Sequence, residues 1–312
     1  MKIVRLDDSN SAPALVLDEA PEPEPSQDEV LIRVRAAAVT PSELLWYPTS
    51  HTKSGAKRQG AIPGHEFCGV IQSTGKNVAT FCSGQDVFGM NDWFSDGAMA
   101  EYCVAPSSAV AVKPERLSYT EAASVPISAL TAWQGLLDRA RIQAGERVLI
   151  HGGAGAVGVF AVQVARLHGA HVVATASPAN AEFVRELGAE QVVDYRAEPF
   201  EHRVGEIDVV FDTVGGDTLR RSWSVLKPRG RLVTIAASEE SATDARTKAA
   251  FLLVEANQQQ LAAIADLLQT GTLRPVVDTV VTLPEAPAAF AGRTARRGRG
   301  KVVVAMTLRQ PD

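Results

Sequence analysis

The chain has 312 residues, 46% hydrophobic and 21% charged, a balance that fits an ordinary globular protein of about two domains. A formal net charge of −5 and a pI near 5.8 argue against a nucleic-acid or membrane-surface partner. Cys68, Cys82 and Cys103 lie far apart without Cys-x-x-Cys spacing, which argues for a reducing compartment and against a disulfide framework. The opening MKIVRLDDSNS lacks the apolar core of a signal peptide, and no apolar run reaches the length of a membrane span. A cytoplasmic location is expected.

Taken in chain order, MKIVRL, ALVLDEA, EVLIRVRAAAV, CGVIQSTG, DVFGM and MAEYCVAP read as short strands punctuated by Pro and Gly. Pro21–Pro25, PEPEP, is a stiff connector. From Thr120 the period becomes helical in EAASVPISALTAWQGLLDRA. Strands and helices then alternate through RVLIH, HVVATA, AEFVRELG, EQVVDY, DVVFDTVG, DTLRRSWSVL and GRLVTIAA, which predicts a parallel sheet with crossover helices. The helix VEANQQQLAAIADLLQTG follows, and after Pro275 VVDTVVTL and KVVVAMTL return to strand. The predicted domains are residues 1–119, completed by 273–312, and residues 120–272. The basic run RTARRGRGK, Arg293–Lys301, is expected to be a solvated loop rather than a nucleic-acid contact.

The most telling segment is Arg147–Ser177: an apolar strand, a Gly-rich turn, a helix and a second apolar strand. Gly153, Ala154, Gly155, Ala156, Val157 and Gly158 fit G-x-G-x-x-G in that context. The first Gly permits the tight turn, the second lets backbone reach a pyrophosphate, and the third lets helix pack on strand. The pyrophosphate is expected at the helix N-terminus, where free N–H groups and the dipole favour an anion. An NAD site usually carries Asp or Glu at the end of the second strand; this chain has Ser177. A carboxylate would repel a 2′-phosphate and a hydroxyl can donate to it, so NADPH is preferred over NADH. Tyr195 and Arg196, ending the next strand, could supply a phenol and a cation to the same phosphate; the bland alternative is packing for one and solvation for the other.

AAAVTPSE (Ala36–Glu43), PGHEFCGVI (Pro63–Ile71), GAMAEYCVAP (Gly97–Pro106), SALTAWQGL (Ser128–Leu136), HGGAGAVG (His151–Gly158), LGAEQVVDYR (Leu187–Arg196), DVVFDTVGG (Asp208–Gly216) and GRGKVVV (Gly298–Val304) follow one another along nearly the whole chain. In this order they resemble the medium-chain dehydrogenase/reductase superfamily, and within it the zinc-independent quinone oxidoreductase and enone reductase branch. The resemblance implies an α/β protein: a GroES-like β-rich catalytic domain plus a Rossmann domain with a doubly wound parallel sheet, and the active site in the cleft between them.

Relatives with catalytic zinc use a cysteine in a Cys-x-Ser/Thr-Asp stretch, the histidine of Gly-His-Glu, and a later cysteine. Here Thr40 stands for the first, His65 keeps the second, and no cysteine occurs near Ile127. Catalytic zinc needs three protein ligands and an open position, and the four-cysteine lobe of structural zinc is missing as well. No metal is expected. Without that Lewis acid, conjugated acceptors are the easier substrates, so hydride transfer to a quinone or an α,β-unsaturated carbonyl is the expected reaction. Thr40 and Ser42 are candidate donors to the developing oxyanion. His65 is either a cleft residue that polarises substrate or a satisfied structural histidine. Relatives often carry Asn-Pro-x-Asp where Thr40-Pro41-Ser42-Glu43 stands.

The resemblance further assigns Thr131 to the nicotinamide ribose, Ala236 and Ala237 to the carboxamide, and Phe251 to the cleft. It matches Tyr195 to a tyrosine that reaches the 2′-phosphate, and puts Asn180 where many NADPH users carry lysine. Trp46, Tyr47 and Trp93 are either core or a stacking wall for a flat acceptor. Phe251–Val254 looks like an apolar edge strand that pairs across a two-fold axis, so a homodimer is expected. A biosynthetic enoyl reductase or tailoring enzyme for one natural-product intermediate, and a cofactor-binding protein without turnover, are the alternatives.

Overall fold

Strands form where the short apolar runs of the sequence lie. A computed structural model describes residues 1–7, 14–236 and 244–306. In chain order the strands are β1 (Lys2–Asp7), β2 (Ala14–Glu19), β3 (Glu29–Ala38), β4 (Glu66–Thr74), β5 (Asp86–Met90), β6 (Tyr102–Pro106), β7 (Val110–Val112), β8 (Arg147–His151), β9 (His171–Ala176), β10 (Gln191–Asp194), β11 (Ile207–Asp212), β12 (Leu226–Thr234), β13 (Val277–Thr282) and β14 (Lys301–Ala305). The chain divides into unit 1, comprising Met1–Ile127, Ala256–Arg297 and Lys301–Asp312, and unit 2, comprising Ser128–Glu255 and Gly298–Gly300.

Unit 1 is built on a sheet of order β13-β14-β3-β4-β5-β7, with β6 also paired to β3, and a separate β1–β2 hairpin. The C-terminal strand β14 runs antiparallel to β3, Val303 opposite Ala38, so the end of the chain rejoins its beginning. Ile32, Phe67, Ile71, Phe290 and Val304 fill its core. The helix Gln258–Gln269, placed on sequence with the nucleotide-binding domain, groups instead with unit 1. It packs on β7 and buries Leu261, Ile264 and Leu268.

Unit 2 is a five-stranded, all-parallel sheet of order β10-β9-β8-β11-β12. The order reverses between β8 and β11, and the Gly-rich turn follows β8 at that switch point, where such sheets bind ligands. Leu149, Val173, Phe200, Val210 and Leu232 form part of the core.

Two sequence expectations change. The long helix expected over 121–140 is broken: Tyr119–Ala123, opened by a Ser118/Glu121 capping box, is followed by Pro126–Trp133 and a π-helical turn, Gln134–Arg139. Pro126 has no N–H to continue the first helix. In the π turn Gly135 lies against Phe211, which a Cβ would approach to 2.3 Å. Phe251–Val254 is not a strand. Among the described residues it meets β12 through a parallel bridge, Thr234 with Phe251, and through Leu252 N–H to Thr234 O, while Phe251 N–H turns back to Thr247 O and Lys248 O. Three residues on, Glu255 N–H and C=O bond to the Gln134 side chain instead of a strand. Among the described residues no helix is long and apolar enough to cross a membrane.

Candidate functional site

In unit 2 the Gly-rich turn leaves the buried end of β8 and opens the helix Ala156–Leu167, with Gly155 as its N-cap. The left-handed residue is Gly152, at φ +75°, one position before the motif; the tight turn was expected at Gly153. A Cβ on Gly153 would meet Ala174 Cβ at 3.0 Å, and one on Gly158 would stand 2.1 Å from Gly152 O. Gly153 thus serves close packing on β9, and Gly158 lets the helix close over the turn. The first turn of that helix, Ala156-Val157-Gly158, carries N–H groups without intrahelical partners, suited to a pyrophosphate.

A directed hydrogen-bond chain fixes this turn. Gly152 N–H donates to Thr175 Oγ1 at 3.1 Å, and Thr175 Oγ1 lies 3.3 Å from His151 Nδ1. His151 Nε2 is 3.0 Å from Ser222 Oγ, which gives its own proton to Thr218 O. That assigns Nε2 as the donor and Nδ1 as the acceptor. Burial, with Arg221 adding to it, pushes the His151 imidazole down to about 3, so the ring is neutral. On the other side of the switch point, buried Asp212 accepts from Val214 N–H, Gly215 N–H and Thr234 Oγ1. Thr234 Oγ1 in turn accepts from Ala236 N–H at 3.2 Å. Thr131 is buried in the helix Pro126–Trp133. Ala237 lies outside the described residues. Phe251 is half-buried at the β12 edge.

Ser177 and Tyr195 each follow by one residue the paired ends of β9 and β10, Ala176 and Asp194. Ser177 heads the short turn Pro178–Asn180, and its side chain makes no capping bond there. Tyr195 is exposed; Arg196 donates through Nε to its phenol oxygen at 3.3 Å and lies over its ring. The basic run expected to be a solvated loop also reaches this edge. Arg299 donates through Nε to Asn180 Oδ1 at 2.8 Å and through Nη2 to Ala179 O at 2.9 Å. Gly300 N–H bonds to Ala154 O in the Gly-rich turn at 2.8 Å.

In unit 1, Thr40 follows the end of β3 and leads into the 3₁₀ turn Pro41–Leu45. Its hydroxyl accepts from Lys301 Nζ at 2.9 Å. Lys301 and Glu66, both buried, form an ion pair, and the Glu66 carboxylate also accepts from Ile127 N–H at 3.0 Å. Burial raises the Glu66 carboxyl above the ordinary carboxylate range, against the pull of Lys301. Glu43 is fully buried; it accepts from Gly64 N–H at 2.9 Å and meets His65 Nδ1 at 2.6 Å. His65 Nε2 lies 3.3 Å from Ser95 O. Trp93 packs on both His65 and Trp46, with ring centroids at 5.1 and 5.0 Å. Tyr47 is exposed and stacks on His51, and Ser42 is exposed on the 3₁₀ turn. Thr40, Ser42, Trp46, Tyr47, His65 and Trp93 thus all belong to unit 1, and of these Thr40 is bonded to the Lys301–Glu66 pair.

Comparison with known proteins places the chain. Residues 26–115 match the family described as alcohol dehydrogenase GroES-like domain, and residues 187–304 the one described as zinc-binding dehydrogenase. The chain is 31% identical to a probable zinc-binding mitochondrial oxidoreductase of Arthroderma benhamiae, over 94% of this chain and 93% of that one. It is 31% identical to an NADPH-dependent alkenal/one oxidoreductase of Arabidopsis thaliana, over 90% of this chain and 73% of that one. The solved quinone oxidoreductase of Coxiella burnetii superposes with a TM-score of 0.86 at 31% identity, covering 98% of this chain and 99% of that one. The chain belongs to the medium-chain dehydrogenase/reductase superfamily. Within it the chain falls in the quinone oxidoreductase branch and is an oxidoreductase of a nicotinamide-binding family.

The superfamily's zinc chemistry does not fit the donor set of this member. Zinc needs deprotonated N, S or O ligands. The thiolate position holds Thr40, and both ring nitrogens of His65 face acceptors, Glu43 and Ser95 O. Among the described residues no group of three His, Cys, Asp or Glu side chains could hold a metal ion. Sequence reasoning missed Glu43 as the partner of His65, Lys301 as the anchor of Thr40, and Arg299 as the partner of Asn180. A lysine opening a strand as apolar as KVVVA was the available signal, since a buried ammonium requires a buried carboxylate.

Proposed function

We propose that this superfamily member is an NADPH-dependent reductase that passes hydride to a quinone or an α,β-unsaturated carbonyl without a metal. The observation that carries the reading is the Thr40 hydroxyl, held by the buried Lys301–Glu66 pair at the position of the zinc thiolate. Because Thr40 Oγ1 accepts from the ammonium, its own proton is directed elsewhere, and the cation behind it strengthens it as a donor. It donates to the acceptor oxygen on which charge develops. One preorganised donor of this kind is worth about 10²–10³ in kcat. Unit 2 holds the dinucleotide through the turn Gly153–Gly158, the ribose edge at Ser177 and Tyr195, and Thr131, Ala236 and Phe251 toward the nicotinamide. Bound NADPH supplies the hydride. His65, locked by Glu43, is a wall beside Trp46 and Trp93.

The relatives named for quinones and for alkenals support the substrate class, and the NADPH-dependent relative supports the cofactor. The test is NADPH oxidation against panels of quinones, enones and simple ketones, with elemental analysis of the same preparation. Turnover of conjugated acceptors with far less than one zinc per chain supports the reading. Alcohol oxidation with NAD, lost with stoichiometric zinc on chelation, overturns it. Thr40→Val should lower kcat about 10²-fold, with Thr40→Ser retaining most of it.

A further inference from the structure

The turn after β9 carries no cation of its own. Asn180 stands where the resemblance calls for lysine, and Ala179 and Pro178 precede it. Yet Asn180 is 9% exposed, too buried for a polar amide without a task. Its task is to hold another segment. Asn180 Nδ2 donates to Gly298 O at 3.0 Å, and Asn180 Oδ1 accepts from Arg299 Nε at 2.8 Å. The Arg299 guanidinium also donates to Ala179 O at 2.9 Å and lies 4.7 Å over the Phe183 ring. The next residue, Gly300, bonds to Ala154 in the Gly-rich turn and forms a parallel bridge with Gly155. Gly298–Gly300 is therefore pinned at one end to the ribose turn and at the other to the pyrophosphate turn. Gly298 and Gly300 have φ of +74° and +66°, and these left-handed turns let the segment pass between the two anchors.

We propose that Arg299 is the specificity-determining cation for the adenosine 2′-phosphate, delivered from the C-terminal loop and aimed by Asn180. The inference rests on the NADPH reading above. Two of the five guanidinium N–H groups are spent on the turn, and the planar fork retains donors for phosphate oxygens. A fixed arginine loses little freedom when it binds, which a mobile surface cation does not match. The competing cation is Arg196, exposed and folded onto Tyr195. Arg299 differs in having its position set by three separate contacts, to Asn180, Ala179 and Phe183.

The test is calorimetric binding of 2′,5′-ADP and 5′-ADP to the full chain, with no turnover involved. Wild type should favour 2′,5′-ADP. Arg299→Ala should weaken 2′,5′-ADP about 10- to 100-fold, the range for charged hydrogen bonds, and leave 5′-ADP unchanged. Arg196→Ala should change the 2′,5′-ADP affinity less. Asn180→Ala should give an intermediate loss confined to 2′,5′-ADP, and Asn180→Lys in the Arg299→Ala background should restore it by placing a cation on the turn. An equal loss for both ligands in Arg299→Ala means a purely structural role and overturns the proposal, as does a larger loss in Arg196→Ala. If wild type does not distinguish the two ligands, the NADPH reading itself fails. If wild type distinguishes them and Arg299→Ala still does, only the assignment of Arg299 fails.

Discussion

Lys301→Met tests the buried pair on which the proposed chemistry stands. Lys301 is 6% exposed and Glu66 fully buried, so the substitution leaves a carboxylate without its counter-ion. Breaking a buried pair from one side costs about 3–5 kcal/mol. Glu66 can escape part of that by keeping a proton. Its carboxyl is already raised from 4.5, chiefly by burial, with Lys301 opposing the shift. Removing Lys301 raises it further. The sign follows: the unfolded chain releases this proton near 4.5 while the folded variant retains it. Stability is therefore undiminished below that pH. It falls above it by up to about 1.4 kcal/mol per pH unit until the folded carboxyl ionises. Wild type has the same slope over a narrower window. Hydrogen exchange of β3 and β14 amides at pH 5 and pH 7, each referred to wild type at the same pH, reads the effect locally. The deficit should grow from pH 5 to pH 7, and the double variant Glu66→Gln/Lys301→Met should recover at least half of it at pH 7. A Lys301→Met deficit that is flat with pH, or a double variant no better than the single, refutes the reasoning.

Ser177→Asp should reverse the cofactor preference, weakening NADPH relative to NADH by about 10- to 100-fold, as measured by dissociation constants for both; an unchanged ratio removes Ser177 from the ribose site. Gly158→Ala drives a methyl to within 2.1 Å of Gly152 O, so it should cost on the order of 1–3 kcal/mol and abolish dinucleotide binding by calorimetry. Among the described residues the β12 edge carries one isolated bridge, at Phe251, and Leu253 beside it is 47% exposed; sedimentation at micromolar concentration should give a dimer, and a monomer would remove that edge as an interface.

The strands were legible because period-two and continuous apolar runs depend on local sequence alone, and β3, β8 and β14 fall on EVLIRVRAAA, RVLIH and KVVVA. The Gly-rich turn was legible for the same reason, although its left-handed residue is Gly152, where a Cβ would also stand 2.6 Å from Thr213 Oγ1. The break at Pro126 was readable from Pro itself, but the helical period on both sides masked it. What could not be read were pairings between distant residues. Glu43 with His65, Glu66 with Lys301 and Asn180 with Arg299 join positions 22, 235 and 119 residues apart. Seen singly, Asn180 registered only as an absent lysine and Arg299 as one charge in a basic run. Phe251–Val254 misled because its apolarity suits a strand, while Phe251 N–H turns back to the preceding helix and the next residue, Glu255, bonds the Gln134 amide.

The Glu43–His65 contact has a consequence for how this branch can change. A histidine becomes a metal ligand only by offering a ring nitrogen lone pair. Here each nitrogen already faces an oxygen, so the residue most suggestive of a metal site is the one least available to build it. Restoring a thiolate at position 40 alone would put it beside Lys301, giving a charged, reactive cysteine rather than a metal centre. Recovery of a metal would first require release of His65 by a change at Glu43, which also holds Gly64 N–H, and then a third ligand. Each step taken singly removes a buried bond without return, so the carboxylate works as a ratchet that keeps His65 as masonry and withholds both ring nitrogens from a metal.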